Sequence, residues 1–236
     1  MSATSRPRYV LKTDPYSSHS VILDWLAAGG GRRLLDVGAA QGLLSRKLTE
    51  RGWRVTAIEG DPDAARAGAP HCEQMVIANL DRDLPPLQPG FDAIVYADVL
   101  EHLADPLRVL TALNGMLASD GFVIVSVPNI AHLWIRLLLL AGRFDYIDRG
   151  ILDRTHLRFF TRRSLAAFIA DAGLEPLRFT ATPAPLYQLL PPSWHKRWVA
   201  TTHTMNAWIA RHLPRLLGYQ FIVQARPRDD SARRRT

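Results

Sequence analysis

One cysteine, Cys72, stands among 236 residues, which excludes an internal disulfide framework and suits a reducing compartment. Cys and His never cluster at zinc-ligand spacing, so no metal is expected. Long apolar runs are missing too. The strongest, "LWIRLLLLAG" from Leu133, is broken by Arg136 and reaches roughly half the ~20 residues that a membrane-spanning helix needs, so it reads as a core or interfacial helix. The first residues, "MSATSRPRYVLKTDPYSS", have basic character with no apolar stretch behind them and do not read as a secretory signal, which makes the expected location cytoplasmic. Acidic residues are in deficit, 22 against 29 Lys and Arg, for a net charge of +7. That balance suits anionic partners. Much of the excess sits in "RPRYVLK" near the start and in a basic tail over 226–236, and charged ends read as solvated. Without an aromatic-rich RNA-binding module, nucleic acid is not an expected partner.

What is present is a recurrent pattern. "RRLLDVG", "WRVTAIEG", "QMVIANL", "FDAIVYAD" and "GFVIVSVPN" are short, apolar, rich in β-branched residues and bounded by Gly, Pro or Asp. Such runs predict strands buried on both faces of a parallel sheet. Helical patterns fill the gaps, among them "SSHSVILDWLAA", "GLLSRKLTERG" and "DPLRVLTALNGMLASDG". The alternation predicts a doubly wound α/β fold. After "SVPN" come an apolar helix, a polar and aromatic stretch, the helix "RSLAAFIADAG", the strand-like "LEPLRFTAT", a Trp-rich helical segment over 186–217 and a final strand "YQFIVQARP". The expectation is one domain over 1–236 with a helical insertion before its last strand.

The stretch "LLDVGAAQG", Leu34 to Gly42, ends a buried strand in Asp36 and follows it with small residues. A strand, a tight small-residue turn and a helix starting near Gly42 make a seat for a nucleotide-like cofactor, with backbone N–H groups turned toward the ligand. The next strand ends in Glu59, twenty-one residues after Gly38, near the ~20-residue offset at which an acidic side chain takes a ribose diol. A dinucleotide calls for G-x-G-x-x-G, and "DVGAAQG" lacks that spacing.

"DVGAAQG" instead resembles the first motif of class I S-adenosylmethionine-dependent methyltransferases, usually D-x-G-x-G-x-G, with Ala40 in place of the middle glycine. "FDAIVYADVLEHLADPLRVL" is similar to the ubiquinone-biosynthesis-like group of that family, and "SVPN", "GRFDY" and "GILDRTHLRFFT" are similar to a bacterial subgroup often linked to glycosyltransferases. The likeness covers 16–182. It implies a Rossmann-like, mostly parallel sheet of about seven strands with an antiparallel last strand, and S-adenosylmethionine as cofactor. By the same resemblance the cofactor contacts are Asp36, Gly38, Ala40, Gln41, Gly42, Glu59, Gly60, Asn79, Leu80 and Asp98, with Asp36 answering the amino group and Asn79, Leu80 or Asp81 lining the adenine. "YSSH", Tyr16 to His19, occupies a position that folds over the methionine end in this family, while Ser17 or Ser18 also suits a plain helix N-cap.

Methyl transfer to a hydroxyl needs alignment and a base. Histidine suits that role, its pKa near ~6.5 lying close to working pH. His102, in "LEHL", follows the fourth strand at the carboxyl edge of the sheet; His156, in "DRTHLRFF", lies in the segment expected over the acceptor and is the first choice. Each also has a structural reading, as an organiser of its own loop. In the Trp-rich segment, Trp194 and Trp198 lie four apart, followed by Met205, Ile209 and His212 at helical offsets with Lys196, Arg197, Arg211 and Arg215 between them. A lid on the sheet or a dimer contact accounts for this pattern, as does a helix lying peripherally at the inner face of a membrane. The expected function is methylation of an O or N on a saccharide, a lipid-linked saccharide or another small metabolite. The alternatives are methylation of a quinone-like lipid and a non-catalytic cofactor-binding scaffold. Nothing in the sequence signals an oligomeric state.

Overall fold

The computed structural model describes residues 14–189 and 197–228. In chain order these form α1 (Ser18–Leu26), β1 (Arg33–Val37), α2 (Leu43–Glu50), β2 (Arg54–Glu59), α3 (Pro62–Gly68), β3 (Gln74–Ile77), β4 (Phe91–Ala97), α4 (Pro106–Asn114), β5 (Leu117–Pro128), α5 (Leu133–Leu140), α6 (Arg162–Asp171), β6 (Leu174–Thr182), α7 (Leu186–Leu189), α8 (Arg197–His212), α9 (Pro214–Leu217) and β7 (Gln220–Pro227). The seven strands make one sheet in the order β3-β2-β1-β4-β5-β7-β6. The pairs β1–β2, β1–β4, β2–β3 and β4–β5 are parallel, and β7 runs antiparallel to both of its neighbours. The expected doubly wound sheet with an antiparallel last strand is therefore the observed one.

Alternation along the strands explains the layering. Leu34, Val55, Ala93, Val95 and Ile124 face one side, where they pack with Val21, Ile22 and Leu26 of α1 and Leu44 and Leu48 of α2. Their sequence neighbours Leu35, Val37, Ile94, Val123 and Val125 face the other side, against Val109 and Leu110 of α4 and Leu165 and Ile169 of α6. Both faces are covered, so the strands are apolar almost throughout. The strand order reverses between β1 and β4. In open α/β sheets the crevice at such a reversal is where ligands sit, beyond the carboxyl ends of the strands.

The turn after β1 is strained and tightly packed. Gly38, Ala40 and Gly42 all take positive φ, at 70°, 48° and 69°. A Cβ on Gly42 would lie 2.9 Å from the Cα and carbonyl oxygen of Gly68, and one on Gly38 would lie 2.5 Å from Val99. These glycines exist so that the turn can press against α3 and the loop after β4.

Two expectations change. The apolar run at Leu133 forms α5 but stays largely outside the core, with Ile135 its one buried residue. In α8 the buried stripe is Val199, His203, Ala207 and Ala210, while Met205 and His212 are exposed. Helix α8 packs on β6 and α9. Trp194 and Lys196 lie outside the described residues. The basic tail starts later than 226, because Arg226 and Pro227 belong to β7 and Arg226 pairs with Glu175 at 2.6 Å.

The strain has a measurable sign. Gly42→Ala meets backbone that cannot yield and should cost at least about 2 kcal/mol. Ala40→Gly relieves a left-handed alanine and should leave stability unchanged or raise it by up to about 1 kcal/mol. Chemical denaturation of the two variants checks the opposite directions.

Candidate active site

The carboxyl ends of β1 and β2 bring two acids together. Asp36 is 1% exposed, and its carboxylate accepts a 2.6 Å hydrogen bond from the Ser45 hydroxyl of α2. Burial pushes its pKa up to about 6; the Ser45 bond opposes that rise and the nearby Glu59 charge adds to it. Glu59 accepts from the Ala40 N–H at 2.7 Å and the Asp61 N–H at 2.8 Å, one bond to each oxygen. A carboxylate has about four lone-pair sites, so capacity remains for a ligand's hydroxyls. The N–H groups of Gly38 and Ala39 donate to the Ile58 carbonyl, and that of Gly42 to Ala39. Most of the turn's donors thus serve the chain itself, and the charged groups at this seat are the two carboxylates. Gln41 is half-buried beside the turn and Gly60 is exposed at its rim.

The remaining predicted cofactor residues are placed unevenly. Asn79 is exposed after β3 and its side chain accepts from the Asp81 N–H. The side chain of Leu80 is 6% exposed and packs in the core. Asp98 follows β4 with φ 57° and gathers donors from three elements: Ser18 of α1 at 3.4 Å, Ser126 of β5 at 2.5 Å and Gln220 of β7 at 2.8 Å. That convergence crosses the whole chain and was invisible in sequence. Ser17 is the N-cap of α1, accepting from the Ser20 N–H. The segment before α1 is clasped to α8, because Asp14 meets the buried His203 at 2.6 Å and the Tyr16 hydroxyl meets Thr204 at 3.2 Å.

His102 and His156, weighed in sequence as rival bases, are neighbours. Their ring centroids lie 4.8 Å apart, edge to face. His102 ends a short 3-10 turn, Leu100–His102, and the Glu101 carbonyl there accepts N–H bonds from Leu157 at 2.7 Å and Arg158 at 3.0 Å, fastening the two segments together. The His156 Nδ1 lies 3.0 Å from the Ile151 carbonyl. A carbonyl can only accept, so Nδ1 carries the proton and Nε2 keeps its lone pair. His102 Nδ1 lies 3.1 Å from the Thr155 hydroxyl oxygen and 3.2 Å from the Thr155 carbonyl. Thr155 is itself held by Asp153, to which its hydroxyl donates at 2.7 Å. Burial draws the His156 pKa below the usual histidine range; the Ile151 bond opposes this and the neighbouring His102 reinforces it. Glu101, His102 and His156 each offer a ligand atom within 4.8 Å of the others, so a metal ion could be held where sequence spacing suggested none.

The chain matches the methyltransferase domain family over residues 16–178. It belongs to that family. The methyltransferase is 31% identical over 171 residues to a ubiquinone biosynthesis O-methyltransferase of Xanthomonas campestris, a match covering 68% of this chain and 71% of the relative. In structure it is similar to the YcgJ protein of Bacillus, with a TM-score of 0.61 and 12% identity over 90% of this chain and 98% of the other. It is also similar to magnesium protoporphyrin IX methyltransferase of Synechocystis with bound SAH, with a TM-score of 0.59 and 15% identity over 89% and 82%. At such identities the two structures speak for the fold, and the family match carries the activity.

This methyltransferase uses S-adenosylmethionine, and the residues at its switch point fit a cationic ligand. Two carboxylates that repel each other, one of them forced into a buried position, are relieved by a positive partner and repel a pyrophosphate. Glu59 would hold the ribose, and Asp36 would answer the cofactor's positive charge from beneath the turn.

Asp36 makes that electrostatic account testable. Its folded pKa lies above the unfolded value, so its ionisation costs stability progressively as pH rises from about 4 to about 6, and the cost persists above that. Asp36→Asn should therefore stabilise the cofactor-free protein above pH 6 by on the order of 2 kcal/mol and change little near pH 4. It should also weaken S-adenosylmethionine binding. Thermal melts at the two pH values and calorimetric titration check both halves.

Proposed function

We propose that this methyltransferase methylates a hydroxyl on a quinone-like lipid, with His156 as general base and His102 beside it. The observation that supports this most directly is the tautomer set at His156: a buried, neutral imidazole with Nδ1–H anchored on the Ile151 carbonyl and the Nε2 lone pair turned away from that anchor. S-adenosylmethionine supplies a methyl group on a positive sulfur, already activated for in-line displacement. What is left for the chain is to align the acceptor and take one proton. Imidazole is matched to a phenolic hydroxyl, whose pKa lies near ~10, better than to an alkyl hydroxyl several units higher. This and the named Xanthomonas relative favour the quinone-like acceptor over the saccharide first expected. His102 has a positioning and electrostatic role: its presence lowers the basicity of His156, and Thr155 and Asp153 fix its orientation.

Labelled methyl transfer to a panel of catechol and quinol acceptors, set beside glycan and lipid-linked glycan acceptors, tests the assignment. Turnover with the aromatic hydroxyls is expected, and turnover with glycans alone overturns it. His156→Ala should lower kcat/KM by roughly 10²–10⁴-fold while cofactor affinity is kept. Because the base must be neutral and its pKa is drawn down, the acid limb of the parent's pH profile should fall below about 6.5. His102→Gln should move that limb upward.

A further inference from the structure

Helix α5 is apolar on the side that faces away from the protein. Leu133, Leu137 and Leu140 recur at helical spacing, Leu137 and Leu140 are 48% and 85% exposed, and Trp134 beside them is 62% exposed. The inward side, Ile135 with half-buried Leu138, is already satisfied by Ile151, Leu152 and Phe159. A helix at a water surface ordinarily turns polar residues outward, and a contiguous exposed apolar patch marks an interaction site.

Charge around the patch is mostly positive, with Asp145 and Asp148 the nearest acids in sequence. From Gly121 to Phe144 the chain has Arg136 and Arg143 and no acid, and from Pro183 to Arg228 it has six Lys or Arg and no Asp or Glu. The two stretches meet at this surface. Arg136 at the start of α5 donates to the Ala131 carbonyl at 2.6 Å and reaches the Arg215 carbonyl in α9 at 3.5 Å. Leu213, just ahead of α9, is 52% exposed. Arg143, after the helix, is paired with Asp145. Leucines outward, a tryptophan at the flank and arginines at the rim are the composition of a helix that lies in the headgroup region.

We propose that the outer face of α5, with Leu213 and the arginines Arg136 and Arg215, docks this protein on an anionic lipid bilayer. Eight residues rise about 12 Å, far short of the ~30 Å hydrocarbon core, so α5 lies in the plane of the interface. Among the described residues no helix is long and apolar enough to cross a membrane. The surface is close to the chemistry. Ile135 of α5 packs on Ile151, whose carbonyl anchors His156, so one layer of side chains separates the lipid-facing helix from the imidazole pair. This inference stands whichever hydroxyl is methylated, and it moves the membrane contact away from the Trp-rich stretch.

Flotation of the full-length protein with vesicles tests it, using phosphatidylcholine alone and phosphatidylcholine mixed with phosphatidylglycerol. Binding is expected to the anionic vesicles, weaker to the neutral ones, and reduced by added salt. The double variant Leu137→Gln/Leu140→Gln should lose roughly tenfold or more in vesicle affinity. It should keep the parent's S-adenosylmethionine affinity in calorimetry and the parent's turnover of a water-soluble acceptor. Vesicle binding by the double variant equal to the parent's overturns the proposal. So does equal binding to neutral and anionic vesicles, or a loss caused by Trp208→Ala but not by the α5 changes. Concentration-dependent dimerisation of the parent that the double variant abolishes, with no vesicle binding, would assign the face to a second copy of the chain and also overturn it.

Discussion

The Glu101 carbonyl holds the site together. It accepts the N–H groups of Leu157 and Arg158, joining the loop after β4 to a segment more than fifty residues further on. Without that junction His102 and His156 belong to separate loops; with it their rings meet edge to face and their ring nitrogens share one space with the Glu101 carboxylate. Each imidazole is oriented by a main-chain carbonyl, Thr155 for one and Ile151 for the other. Backbone anchors of this kind are indifferent to protonation of neighbouring side chains. The His156 tautomer is therefore set by the fold and not by the ligand.

The sheet determines where that junction sits. β1, β2 and β4 run parallel and end at one edge, so Asp36, Glu59, and Asp98 with the Glu101–His102 turn are delivered to a common rim from three separate places in the chain. The antiparallel β7 adds Gln220 to the same rim by bonding Asp98. The two carboxylates and the His102 turn follow from one topology, and the segment between α5 and α6 adds His156.

What could be read from sequence was whatever depends on local pattern. Strands buried on both faces announce themselves as short apolar β-branched runs, and the acid closing β2 stands at a distance from Gly38 that the strand-helix-strand unit imposes. The close contacts of Gly38 and Gly42 were not legible there, because their partners, Val99 and Gly68, lie outside the motif. The inner face of α8 gives little signal in sequence, because its buried stripe is Val199, Ala207 and Ala210 around the buried His203. The two histidines looked like alternatives because no local signal reports a contact across 54 residues. Asp98 shows the same limit, as its donors come from α1, β5 and β7.

Charge follows the same division of labour. Much of the +7 excess sits at the ends, yet the sequence between them is itself polarised: residues 14–120 sum to −6 and residues 121–228 to +9, with histidines neutral. The negative half contains Asp36 and Glu59, where a sulfonium cofactor is welcome, and burial has already raised the energy of one of those charges. The positive half contains α5, α8 and α9, where leucines and tryptophans face outward. A cationic donor and an anionic surface would thus approach opposite ends of one molecular dipole, and the field that draws each toward its own half repels it from the other. The imidazole pair lies where the two halves meet, beside the Glu101 carboxylate, and there a positive charge on His156 is opposed by His102 and favoured by Asp153 and Asp98.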